Sequence, residues 1–116
     1  MEINKYLRTP IKIEQLIQIT PSELDEFTLY ADKVIETVDE NTVFYLDEPI
    51  EVDENDNELY PSFINENNLR YFFNGDIVSD IISNAQHQLE PKTPTIDDYV
   101  KNFDYYHKHD CFFNFE

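Results

Sequence analysis

The sequence predicts a single α+β domain: a small antiparallel or mixed β-sheet of roughly three or four strands packed against three or four helices in two layers. Three observations carry this. Thr42-Val43-Phe44-Tyr45-Leu46 and Leu69-Arg70-Tyr71-Phe72-Phe73 have the β-branched and aromatic composition of strands. Ile77, Ile81 and Ala85, with Val78, Ile82 and Leu89, draw an apolar helical stripe that predicts a helix over 76–89. A single glycine, Gly75, and no repeat or linker-like tract let residues 1–116 be read as one domain, a length that supports one core.

Taken in order, Thr9-Pro10 offers a capping hydroxyl and a proline at a first helical position, which predicts a short helix over about 10–18 carrying Ile11, Ile13, Leu16 and Ile17. Thr20-Pro21-Ser22-Glu23 repeats the start signal, with Glu23 as return partner of a capping box. Residues 24–38 are ambiguous. Leu24, Phe27, Ala31, Val34 and Val38 fall on one helical face, whereas 27–30 is β-rich. Asp39-Glu40-Asn41 is a turn signal before the strand at 42–46. Asp47 to Glu58, with Pro49 inside it, reads as a loop or irregular connection, and 61–67 as a helical turn. Asn74-Gly75-Asp76 stops the strand at 69–73 and caps the helix that follows. Pro91 and Pro94 bound a loop. Thr95 with Asp98 opens a last helix bearing Ile96, Val100, Phe103 and Tyr106 or His107. The closing Cys111-Phe112-Phe113-Asn114-Phe115 is too apolar to hang loose.

Charge narrows the function. Twenty-five Asp and Glu stand against eight Lys and Arg, a net charge of -17. That excess exceeds what solubility needs and suits fast capture of a basic protein or imitation of a polyanion. The same field repels phosphate backbones and anionic bilayers, so no direct nucleic-acid or membrane partner is expected. The excess is concentrated: from Val34 to Leu69 there is no Lys or Arg, and eleven acids. No apolar run approaches a signal peptide or a membrane span, and the single Cys111 suits a reducing compartment, so the expected location is cytoplasmic.

Catalytic and metal readings are weaker than structural ones. His107, His109, Asp110 and Cys111 are residue types of a zinc site or a Cys/His pair, but histidines two apart do not share a helix face. Their plainer role is at a helix C-terminus. Asp53, Asn55 and Asn57 match the first positions of a calcium loop, yet Glu58 replaces the required glycine and Ile64 the closing Glu. One glycine cannot build a phosphate-cradling loop. The chain is therefore expected to be a binder, not an enzyme, with no cofactor or metal.

Residues 76–88, containing Val78, Asp80, Ile81, Asn84, Ala85 and Gln88, and the tail Phe103-Asp104-Tyr105-Tyr106-His107-Lys108-His109-Asp110-Cys111-Phe112 fit the patterns V-x-D-I-x-x-N-A-x-x-Q and F-x-Y-Y-x-x-x-D-x-F. In these the chain resembles a family of small bacterial proteins found among the immunity proteins of polymorphic toxin and contact-dependent growth inhibition systems. It departs from them in Cys111 and in lacking Trp. The resemblance implies a strand at Leu29-Tyr30 and a toxin as partner. Joined to the charge, it leads to an immunity protein that neutralises a cognate toxin domain, a basic nuclease. The residues expected to bind are Asp47, Glu48, Glu51, Asp53, Glu54, Asp56 and Glu58, flanked by Tyr45 and Tyr60. The alternative is a nucleic-acid mimic that inhibits a restriction or CRISPR nuclease.

Overall fold

The computed structural model describes residues 2–32 and 35–116, apart from the Glu2 side chain; Val34 of the helical-face reading lies outside these. After a 3-10 turn at Glu2–Lys5 come α1 (Ile13–Leu16), α2 (Pro21–Leu24), β1 (Thr28–Asp32), β2 (Phe44–Asp47), β3 (Glu51–Val52) and β4 (Glu58–Leu59). They are followed by α3 (Ser62–Glu66), β5 (Leu69–Asn74), α4 (Gly75–Leu89) and α5 (Ile96–His109). The architecture is α+β. One antiparallel sheet has the order β2-β1-β5, and β3 pairs with β4 in a separate ribbon.

The ambiguous region resolves as α2, then β1 at the centre of the sheet, with Leu29-Tyr30 in the strand. Burial on both faces explains why its pattern was hard to read: Thr28, Leu29, Tyr30 and Ala31 are all buried, so no polar alternation survives. Leu29 pairs with Leu46 and Phe73, and Tyr30 with Tyr45 and Tyr71. Between those pairs β5 bulges at Phe72, which lets Phe72 and Phe73 both enter the main core.

That core lies between the sheet and the helices. Leu29, Ala31, Phe44, Leu46 and Phe73 meet Val78, Ile81, Ile82 and Ala85 of α4 and Tyr99 and Phe103 of α5. Each of the Val, Leu, Ile and Phe side chains among these contributes about 1.5–3 kcal/mol by leaving water. The N-terminal segment covers the outer edge of β2: Ile11 and Phe44 exchange N–H···O bonds of 2.9 and 2.7 Å. This corrects the helix expected over 10–18. Leu7 and Ile11 bridge to β2 on either side of a turn at Arg8, whose φ is 55°, and the helix begins only at Ile13, where the Gln15 side chain caps the Lys12 N–H at 2.8 Å.

Strand β5 runs into α4 without an intervening residue, so the first turn of α4 is pressed against the end of α2. The Gly75 N–H donates to the Phe27 carbonyl at 2.9 Å. A methyl carbon on Gly75 would lie 1.7 Å from the Leu24 carbonyl oxygen, which is why the one glycine stands here. The Thr95–Asp98 capping box forms as expected, with bonds of 3.2 and 2.9 Å. Asp110, in the left-handed conformation at φ 61°, ends α5.

Across the sheet from the helices a second, smaller cluster forms. Tyr30 and Ile64 are fully buried yet stand apart from the main core. Tyr45 packs on Phe63 of α3 with ring centroids 5.6 Å apart, and the Tyr30 hydroxyl donates to the Glu48 carbonyl at 2.7 Å. Residues 48–66 are thereby anchored on this face.

Candidate functional site

The stretch expected to be an irregular acidic loop is instead a β-hairpin. Glu51 faces Leu59 and Val52 faces Glu58, so acid and aliphatic side chains alternate on both sides of the ribbon. Asp53 builds the turn. Its backbone N–H donates to the Asn57 carbonyl at 3.0 Å, and its Oδ1 accepts the N–H groups of Asn55 at 2.8 Å and Asn57 at 3.0 Å. Those donors favour the ionised form and hold its carboxyl below the ordinary 3.8. Asp56 takes the left-handed φ of 63° that closes the turn. The carboxylate that began the calcium-like pattern is thus occupied by its own backbone. Among the described residues no group of three or more His, Cys, Asp or Glu is placed to hold a metal ion.

Of the nine residues expected to bind a partner, Glu48, Glu51, Glu54, Asp56 and Glu58 are exposed, and Asp53, Tyr45 and Tyr60 are half-buried. Asp47 requires a correction. It is 1% exposed, its Oδ1 accepts Arg8 at 2.9 Å and the Glu48 N–H at 2.8 Å, and so it is not a surface carboxylate. The reason is alternation: with Phe44 and Leu46 committed to the helices, Tyr45 and Asp47 fall beneath the hairpin. Tyr45 likewise lies under Phe63, and Tyr60 is the tyrosine at the rim. Burial first, and then the Glu58 carboxylate that accepts its hydroxyl at 3.3 Å, raise the Tyr60 pKa.

Hairpin, α3 and the start of the chain enclose a cleft of about 400 Å³. Arg8, Asp47, Glu48 and Pro49 line it together with Glu51 and Leu59 of the ribbon and Tyr60 to Phe63. Sequence reasoning missed Arg8, Leu59 and Phe63. The alternation Glu51-Val52 and Glu58-Leu59 about a polar turn was a signal for the hairpin, but nothing local pairs Arg8 with a residue 39 positions away. Val52 and Leu59, 60% and 51% exposed, add apolar surface to the acidic ribbon.

At the other end of the molecule the His/Cys cluster disperses. His107 stacks on Phe72 with centroids 4.7 Å apart, His109 lies against Tyr105 at 4.3 Å, and Cys111 is exposed. Polar residues in and beside the two sequence patterns serve the fold. Buried Asn102 donates to the Ile81 carbonyl and to Asn84 Oδ1, and accepts the Phe113 N–H at 2.8 Å. Gln88 donates to the Phe113 carbonyl and accepts the Phe115 N–H. Asp104 accepts the Val38 N–H at 2.8 Å. The tail is thus stitched to α4 and α5.

A family model described as a domain of unknown function, DUF7716, matches residues 10–115. The chain belongs to the DUF7716 family. The DUF7716 match spans the sheet, the hairpin and the stitched tail, and of the cleft all but Arg8. No curated protein and no solved structure matches the chain. In this DUF7716 domain no helix among the described residues is long and apolar enough to cross a membrane.

Proposed function

We propose that this chain is an immunity-type protein that binds and neutralises a cognate toxin domain, a basic nuclease, through the acidic hairpin. One observation carries the reading. The ribbon and its flank hold Glu48, Glu51, Glu54, Asp56 and Glu58 outward beside exposed Val52 and Leu59, in a segment without Lys or Arg. One-signed charge around apolar contacts is the composition of a rim and core that capture a basic surface. The carboxylates hasten encounter, and the aliphatic and tyrosine contacts set the lifetime of the complex. The sequence patterns of α4 and the tail, which resemble immunity proteins, support a toxin as the basic partner.

The test is to express the chain with the variable C-terminal domains of large secreted proteins encoded beside it. The expected outcome is that one of these domains arrests growth and is silenced by this chain. Reversing Glu54 and Glu58 to Lys should then slow association about tenfold or more at low salt and flatten its salt dependence. Association kinetics identical to wild type would move the interface off the hairpin and refute the reading.

A further inference from the structure

We propose that the cleft between hairpin and α3 seats an arginine side chain of the basic partner, an inference that rests on the function proposed above. Charge complementarity comes first. Among the described residues the cleft presents Asp47, Glu48 and Glu51 against one cation, Arg8, so its lining is anionic. Asp47 supplies the second observation. Its side chain is 2% exposed, Oδ1 is taken by Arg8 and the Glu48 N–H, and Oδ2 has no hydrogen-bond partner among the described residues. A buried carboxylate oxygen without a donor is costly, and an N–H of a guest entering from the cleft would satisfy it.

Shape and apolar surface select the guest. Leu59, half exposed on the ribbon, and the rings of Tyr60 and Phe63 offer flat apolar walls to an alkyl stem and a planar cation. Guanidinium stacks its plane on aromatic faces and grips a carboxylate with two parallel N–H groups, which an ammonium does not. Arg8 has a side chain 48% exposed, long enough to swing aside and uncover Asp47 as the guest arrives.

The test is a two-dimensional amide NMR titration of the whole chain with acetyl-glycyl-arginyl-glycine amide, and with the same peptide carrying citrulline or lysine. The expected result is saturable shifts at Glu51, Leu59, Tyr60 and Ser62, with citrulline about tenfold weaker or worse and lysine weaker than arginine. Glu51→Gln, at an exposed position that leaves the fold intact, should weaken the arginine peptide severalfold, whereas Asp56→Asn on the turn should not. Equal binding of citrulline or lysine, shifts confined to the hairpin tip, or no shifts overturns the proposal. A toxin that still depends on the hairpin acids but not on Glu51 would sink this site alone and leave the proposed function standing.

Discussion

Gly75→Ala tests the geometry that joins the sheet to its longest helix. A methyl carbon there would lie 1.7 Å from the Leu24 carbonyl oxygen and 2.5 Å from that of Phe27, against an ordinary contact of about 3.5 Å. Both obstacles are backbone, so no side-chain rotation relieves them. Overpacking of this kind costs about 1–3 kcal/mol, and the displacement needed also breaks the Gly75 N–H bond to Phe27, worth about 1 kcal/mol. The gain in helix propensity offsets about 1 kcal/mol, which leaves a net destabilisation of about 1–3 kcal/mol. For a chain of this length that lowers Tm by about 4–12 °C. Urea and thermal unfolding followed by circular dichroism read it directly, with Ser83→Ala at an exposed position of the same helix as control. Because Gly75 does not have a positive φ, its role is steric and not conformational. An unchanged or raised midpoint in Gly75→Ala would refute the close approach of α4 to α2.

Three further outcomes are expected. Asn102→Ala removes the acceptor of Phe113 and a buried donor to Asn84, so it should destabilise by about 2–4 kcal/mol and release the tail to limited proteolysis before the domain unfolds. The Asp53 carboxyl titrates below its ordinary value, so its contribution to the hairpin is present above pH 3.8 and lost as pH falls through its lowered folded value. Amide exchange at Asn55 and Asn57 should quicken there, and Asp53→Ala should show the same loss already at neutral pH. Burial, foremost, pushes the Tyr30 hydroxyl up to about 12, so the folded state favours its neutral form: stability is undiminished below pH 10 and falls as pH rises toward 12. In an alkaline phenolate titration the late step should coincide with unfolding, and Tyr30→Phe should delete it.

What could be read from the sequence followed from local rules. The stripe from Ile77 to Leu89 is amphipathic in one dimension, so it identified α4 within a residue, and the Thr95–Asp98 box needs only three positions of separation to announce α5. Failures came where distant partners decide. Ile11 is extended because Phe44 holds it there, and Pro10 with Thr9 gives no hint of that strand. Asp47 looked like every other acid in its segment, yet the pairing of β2 with β1 turns it under the hairpin, where Arg8 meets it. Phe72 would face away from Phe73 in a regular strand, and only the bulge opposite Leu29 and Tyr30 brings both to the core.

The same distinction separates frame from recognition. Asn84 and Gln88, two polar positions of the α4 pattern, each bond another part of the chain, as do Asn102 and Asp104 beside them, and Asp110 of the tail pattern closes α5. At these positions the pattern speaks for a scaffold, since a side chain bonded within its own chain is not available to a partner. The hairpin differs. Asp53 and Asp56 hold the turn and Asp47 lies beneath it, while Glu51, Glu54 and Glu58 project into water. Separation of duties within a dozen residues makes the charge-reversal experiment interpretable. Substituting the outward glutamates alters the field a basic partner meets, and leaves Asp47, Asp53 and Asp56 to hold the ribbon in place.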